Sequence, residues 1–410
     1  MRSMGVYIHI PFCVQKCVYC DFLSAPATRQ RQQEYIEALK REIVHEAKRY
    51  AGYIVKTIFF GGGTPSILEA GDTAEILACL GKYYQIDDAA EITMEMNPGT
   101  ADSDKLLKLQ RSGINRLSIG LQSADDKELE LLGRIHTYQD FIRTYQQARE
   151  AGIRNINIDL MSALPGQDMK SWVRTLGTVA ALQPEHISAY SLIIEEGTHL
   201  YDKLDKYPSV PDEDEDRLMY QATRQILAEN GYHRYEISNY AREGYECRHN
   251  CIYWQRGIRH TADYAGFGLG AASLVDNVRW RNTDNMKQYL YAFNRDKETE
   301  CDKLIVGGVD KTVKRQGNGK ESLNEDIKKD VQKLCHNDWI EEFMFLGLRM
   351  TNGVSKQEFA DSFGVGISEI YGDVLCKWER QGMLIQSGDS VRLTDAGIDI
   401  SNMILADFLL

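Results

Sequence analysis

Nowhere does the 410-residue chain offer the run of about 18 apolar residues that a membrane-spanning helix requires. Its first segment, Met1 to Phe12, also lacks the long apolar core of a secretory leader. An integral membrane protein is therefore not expected, and a cytoplasmic protein is. Excess positive charge is missing too: 48 Lys and Arg face 60 Asp and Glu, a formal net charge of -12. Such a balance disfavours nonspecific attraction to polyanions, so no nucleic-acid partner is expected. A secreted disulfide framework is absent as well. The nine cysteines are odd in number, with three between Cys13 and Cys20 and the rest scattered, which fits a reduced compartment. What remains is an ordinary globular mixture, 43% hydrophobic and 26% charged, long enough for two to three domains of roughly 150 residues each.

The first two hundred residues repeat one theme: a short β-branched or aromatic run, a turn, then an amphipathic stretch. The runs are Val6 to Ile10, Thr57 to Phe60, Glu91 to Met96, Arg116 to Ile119, Asn155 to Leu160 and His186 to Leu192. Between them lie helical patterns such as Ile36, Leu39, Ile43 and Ala47, and Gly113 and Gly152 stand where helices would be capped. Repeated strand and helix imply an α/β fold, a parallel sheet with crossover helices. Six units suggest a barrel or part of one, with a doubly wound open sheet as the alternative that pattern alone leaves open.

Composition then divides the chain into residues 1–200, a barrel extension 201–293, a polar insertion or linker 294–337 and a C-terminal module 338–410. Tyr207 to Asp216 is acidic and leads into a helix expected over Glu215 to Asn230, ended by Gly231. The linker carries Gly307, Gly308, Gly317 and Gly319 among many charges. In the last segment, helices over Trp339 to Met350, Lys356 to Phe363 and Ser368 to Gln381 precede a hairpin, Met383 to Thr394, broken at Gly388. That order resembles a winged helix. Its Glu342, Glu358, Asp361, Glu369 and Asp373 suit packing or a protein partner rather than DNA.

Chemistry concentrates at CVQKCVYC, where Cys13, Cys17 and Cys20 form a C-x3-C-x2-C array directly after the first strand. Three thiolates so close in a reduced protein point to metal. Structural zinc would need a fourth ligand, with only His9 or Asp21 at hand; a four-iron cluster on three thiolates would leave one iron open. Further polar groups fall at the strand ends: GGGTP from Gly61 to Pro65, EMNPG with Glu95 and Asn97, SIGLQS with Gln122, and NIDLM with Asp159. In a parallel barrel these ends share one face, where active sites collect.

Taken together, CxxxCxxC, GGGTP, ExNPG, GINRLSIGLQS and LGRIH resemble the radical S-adenosylmethionine (SAM) superfamily, in its coproporphyrinogen dehydrogenase-like branch. The resemblance runs from about Tyr7 past Ser273 and resumes over Glu341 to Arg349; Gly307 to Asn324 departs from it. It implies a partial (β/α)6 barrel with a C-terminal winged-helix-like domain. By the same resemblance Cys13, Cys17 and Cys20 hold a 4Fe-4S cluster. Tyr7, Tyr19, Gly62, Gly63, Thr64, Glu95, Gln122, Arg134 and Asp159 surround the SAM, Arg134 pairing a carboxylate. The chemistry implied is one-electron cleavage of a carbon–sulfur bond, carried by the cofactor.

Within the branch, the decarboxylating enzymes resembled here carry a fourth cysteine two positions after the third, where this chain has Phe22, and a longer segment before the first strand. ECRHNCIYW, Glu246 to Trp254, instead matches the HNxxYW signature of the HemW-type haem chaperones. That likeness implies haem as cargo, with His249 as the ligand candidate, Asn250, Tyr253 and Trp254 beside it, and Cys247 and Cys251 as secondary candidates. It also implies transfer to acceptor haemoproteins, membrane-associated respiratory enzymes among them. The alternative is oxidative decarboxylation of coproporphyrinogen III. GFGLGAAS, Gly266 to Ser273, matches the branch as well, its glycines shaping either a ligand wall or a tight turn. Cys79, Cys301, Cys335 and Cys376 are expected to pack or to sit at the surface.

Overall fold

A computed structural model describes residues 2–258, 263–294 and 327–410. The glycines of the expected linker, and Cys301, lie outside the described residues. Six parallel strands form the centre: β1 (Arg2–Ile10), β2 (Tyr53–Gly62), β3 (Gln85–Met96), β4 (Arg116–Gln122), β5 (Asn155–Ser162) and β6 (His186–Ser191). Five contain the whole run expected from sequence and β6 stops one residue short, at Ser191; helices cross between them: α1 (Arg29–Glu46), α2 (Ala70–Tyr83), α3 (Ser103–Arg111), α4 (Asp126–Leu131), α5 (Tyr138–Glu150) and α6 (Met169–Ala181). The partial (β/α)6 barrel is thus the observed fold, in place of a doubly wound sheet.

Local chemistry explains these boundaries. Thr28 caps α1 by accepting from the Arg31 amide, and Thr137 and Asp140 cap α5 reciprocally. Gly113 and Gly152 adopt positive φ just beyond the ends of α3 and α5, as expected for glycines that stop helices. Ile36, Leu39 and Ile43 bury one face of α1, and every residue of β4 is buried, as befits a strand deep inside the sheet.

The sheet grows at both edges. Beyond β6 stand β7 (His233–Arg234) and β8 (Asn239–Ala241); beyond β1 stand β9 (Tyr264–Phe267), β10 (Ala272–Val275), β11 (Val278–Asn282) and β12 (Lys328–Lys333). β12 belongs to the stretch expected as linker, and its pairing with β11 ties that end into the sheet. The glycines of GFGLGAAS serve a tight turn between β9 and β10: a Cβ on Gly266 would lie 2.2 Å from the Ala272 carbonyl oxygen, and Gly268 holds φ +100 beside the Tyr35 hydroxyl. Its turn is fixed to α1 through Glu42, which accepts from the Gly268 amide, Asn282 and Tyr289.

The C-terminal unit has helices His336–Gly347, Lys356–Phe363 and Ile367–Arg380. A three-stranded sheet of β13 (Val354–Ser355), β15 (Ser390–Leu393) and β14 (Leu384–Ser387) completes it. Gly388 turns the β14–β15 hairpin at φ +55. Glu342 is buried against the barrel extension, 2.7 Å from Arg279 and 3.1 Å from Arg256. An acidic residue that told against DNA reading is therefore an interdomain ion-pair partner.

Candidate functional site

The C-terminal ends of β1 to β5 open onto one cavity of about 330 Å³. Cys13, Cys17 and Cys20 line it from the loop after β1, all three as free thiols. Among the described residues no group of three His, Cys, Asp or Glu side chains closes around a single ion. Three thiols on one loop suit a four-iron cluster, which can leave its fourth iron to an outside ligand, whereas structural zinc needs four protein ligands.

The neighbouring turn is built for close approach. Gly63 donates to the Ile10 carbonyl at 2.9 Å and Thr64 to the Phe12 carbonyl at 2.7 Å, lacing the GGGTP turn to the cysteine loop. A Cβ on Gly63 would stand 2.6 Å from the Phe12 oxygen and 3.0 Å from the Cys13 sulfur, which only glycine avoids. The Thr64 hydroxyl also reaches Cys13 Sγ at 3.5 Å.

From there a polar chain crosses the floor. Asn97 donates to Thr64 Oγ1 at 3.0 Å and accepts from Arg134 Nη1 at 2.9 Å; Gly62 donates its amide to Glu95 at 3.0 Å. Arg134 keeps a buried Nε without a partner, an orphan donor that a bound carboxylate would satisfy. Burial, and next the Asp159 carboxylate, push the Glu95 carboxyl up to about 8. Burial likewise raises Asp159, against hydrogen bonds from Ser118, Asn157 and Ser188. A cationic ligand entering here would relieve both carboxyls. Gln122 sits at φ +75 where the β4–β5 register slips, a strained terminus that brings its side chain within 3.3 Å of the Tyr190 hydroxyl.

Eleven of the twelve residues expected at the cluster and SAM thus share this cavity: the three cysteines with Tyr19, Gly62, Gly63, Thr64, Glu95, Gln122, Arg134 and Asp159. Tyr7 does not line it; its hydroxyl bonds to His9 Nδ1 at 3.0 Å and its ring stacks on Phe59. Sequence reasoning missed Ser188 and Tyr190 on β6 and Asn239 on β8, which also line it. The register carries the reason: Ser188 pairs with Asp159, and Asn239 with Ser188. Alternation along β6 held a signal for the first two, but the two- and three-residue strands β7 and β8 gave none.

The HNxxYW residues form the helix Arg248–Trp254, which packs on β1 to β3. Glu91 anchors its start, accepting from the amides of Arg248 and His249 at 3.1 Å and from Cys247 Sγ at 3.6 Å. His249 is buried: Nδ1 lies 2.7 Å from Thr57 Oγ1, Nε2 lies 2.9 Å from the Tyr253 hydroxyl, and the ring stacks on Phe59. Burial, and next the Arg116 charge, hold its pKa down to about 3, so the ring is neutral. Both His249 nitrogens are engaged within the fold, so ligation of haem iron by this ring would require it to release Thr57 or Tyr253. Trp254 lies under the Arg349 guanidinium at 4.4 Å, and Tyr253 meets Tyr264 edge-on. Of the four, only Asn250 lines the cavity.

A partial barrel carrying free thiols and a glycine-laced turn at its open end defines a radical SAM protein, and residues 7–179 match the Radical SAM superfamily. That superfamily implies a 4Fe-4S cluster and SAM. Residues 334–400 match the HemN C-terminal domain. The chain is 33% identical over 407 residues to "Heme chaperone HemW" of Bacillus subtilis, covering 99% of each. It is 40% identical over 276 residues to the protein of that name from Escherichia coli, covering 67% of this chain and 71% of the relative. The chain therefore belongs to the HemW family of radical SAM proteins. In fold it matches the Escherichia coli coproporphyrinogen III oxidase HemN, with a TM-score of 0.79 at 24% identity, covering 100% of this chain and 90% of that one. Among the described residues no helix is long and apolar enough to cross a membrane.

Proposed function

We propose that this protein is a cytoplasmic haem chaperone. On this reading it carries a 4Fe-4S cluster on Cys13, Cys17 and Cys20, binds SAM in the adjoining cavity, and passes haem to acceptor haemoproteins, membrane-associated respiratory enzymes among them. The observation that carries the cofactor reading is the single cavity in which three free thiols meet the Gly62–Thr64 turn, two raised carboxyls and the orphan Nε of Arg134. When bound, the cluster and SAM supply one-electron cleavage of a carbon–sulfur bond. Arg134 would pair the methionine carboxylate, Glu95 and Asp159 would hold ammonium or ribose hydroxyls, and Tyr19 would flank the adenine. Tyr7 would act from behind, through His9 and Phe59.

Haem as cargo is supported by the name of the Bacillus subtilis relative, which the chain matches over 99% of its length. The helix Arg248–Trp254 contributes by fixing the wall from which Asn250 faces the cavity, His249, Tyr253 and Trp254 being its internal supports. Phe22 favours the chaperone over decarboxylation of coproporphyrinogen III: it is 69% exposed at the cavity, an apolar surface where the decarboxylase pattern has a thiol. Anaerobic reconstitution should give about four iron and four sulfide per chain, lost in Cys17→Ala. The protein should bind haem, deliver it to an apo-haemoprotein, and leave coproporphyrinogen III unchanged when SAM and reductant are supplied. Zinc in the thiol site, or efficient formation of protoporphyrinogen, would overturn the reading.

A further inference from the structure

A buried polar path joins the cavity to the start of the helix Arg248–Trp254. It begins at Asp159 on β5, which lines the cavity and accepts from Asn157 Nδ2 at 2.7 Å and from Ser118 Oγ at 3.0 Å. Asn157 Oδ1 meets His186 Nδ1 at 2.6 Å, and His186 Nε2 meets the Tyr235 hydroxyl at 2.9 Å. That hydroxyl accepts at 3.2 Å from the amide of Cys247, the residue that precedes the helix. Asn157, His186, Tyr235 and Cys247 are all buried, so water does not stand in for a lost link.

The donors along this path all point one way. An ionised Asp159 can only accept, so Asn157 turns its amide nitrogen to it and leaves its oxygen for His186. Burial, and next the Arg116 charge, hold the His186 pKa well below its ordinary value, so the ring is neutral. A neutral imidazole that donates from Nδ1 accepts at Nε2, here from the Tyr235 hydroxyl, whose own oxygen is left to accept from Cys247. Hydrogen bonds aligned head to tail polarise one another, and this chain ends on a carboxylate. Tyr235 is held from the C-terminal unit as well, its carbonyl accepting from the Thr351 amide at 3.0 Å.

We infer that His186 and Tyr235 are positioning residues that couple SAM binding beside Asp159 to haem binding at the helix Arg248–Trp254. The inference rests on the haem-chaperone reading above and adds a link between its two ligands. Burial raises the Asp159 carboxyl, so a cationic ligand beside it favours the ionised form. The ionised form strengthens the bond from Asn157, and through the aligned chain it tightens the hold of Tyr235 on the Cys247 amide. Coupling of this kind is reciprocal: each ligand raises the affinity for the other by the same factor.

Calorimetric titration of SAM into the cluster-loaded protein, with and without saturating hemin, tests this. In the wild type hemin should tighten SAM binding about fivefold or more, and hemin titration with and without SAM should return the same factor. Tyr235→Phe removes the shared hydroxyl and should bring the factor to one. Tyr289→Phe removes a comparably buried hydroxyl that bonds to Glu42 instead, and should keep the wild-type factor. His186→Gln cuts the chain one link away and should repeat the result of Tyr235→Phe, deciding the matter alone if that variant does not fold. A wild type that binds the two ligands independently, or a cut variant that keeps the full factor, would overturn the inference and leave the chaperone reading standing. Failure of the wild type to bind SAM or hemin at all would overturn that reading, and this inference with it.

Discussion

Replacing His249 with alanine separates a structural histidine from a haem ligand. The substitution empties the space beside Phe59 and strands two hydroxyls, those of Thr57 and Tyr253. Truncating a buried aromatic side chain costs about 3–5 kcal/mol, and each stranded hydroxyl about 1 kcal/mol unless water reaches it. Tyr253 is half-buried, so the expected loss is about 4 kcal/mol, read as a lower urea midpoint at unchanged slope. His249→Phe keeps the ring and should lose only about 2 kcal/mol. The histidine is neutral in the fold, with a pKa near 3 against 6.5 for an unperturbed ring. Its contribution is therefore present above pH 6.5 and lost as pH falls toward 3, by about 1.4 kcal/mol per unit. Wild type and His249→Phe should accordingly converge in stability on acidification from pH 7 to pH 5. Hemin bound to His249→Phe should keep the wild-type Soret band. A variant that unfolds at the wild-type midpoint but loses the band would refute this account and restore His249 as ligand.

Two substitutions in the cavity proposed for SAM should separate stability from binding. Glu95 holds its proton more tightly in the fold, at about 8, than an unfolded chain would. The folded state is thus penalised increasingly between about pH 4.5 and 8, and SAM-free Glu95→Gln should gain on wild type by about 1.4 kcal/mol per pH unit across that range while losing SAM affinity; a pH-independent difference in denaturation would contradict the assignment. Gln122 is a buried non-glycine residue at φ +75, so Gln122→Gly relieves about 1 kcal/mol of strain but loses the Tyr190 bond, worth about as much, and thermal melts should change little. Calorimetric titration of SAM should show weaker binding by the same variant, and unchanged affinity would remove Gln122 from the site.

Local signals made the central architecture legible. Alternating strand and helix patterns placed all six barrel strands, because a buried parallel strand is a short apolar run and a crossover helix an amphipathic one. In the C-terminal unit, capping and turn residues marked Lys356–Phe363 and the Gly388 hairpin, but the two-residue strand β13 carries no period that could announce it. The additions at the sheet edges were illegible for a related reason. β9 pairs in parallel with β1 across more than 250 residues of chain, and only tertiary packing specifies that partner.

The site shows the same division at the level of single side chains. Strand ends announced Glu95, Gln122 and Asp159, since a barrel sends all of its C-terminal ends to one face. HNxxYW announced a helix but not its orientation: one residue, Asn250, faces the cavity, while the histidine that looked reactive spends both nitrogens on Thr57 and Tyr253. His136 reads in sequence as the last letter of the LGRIH motif that also carries Arg134. Only the fold shows that it does not line that cavity and that its Nε2 is buried without a partner among the described residues. A histidine's chemistry is set by what its second nitrogen meets, and spacing along a chain does not record that.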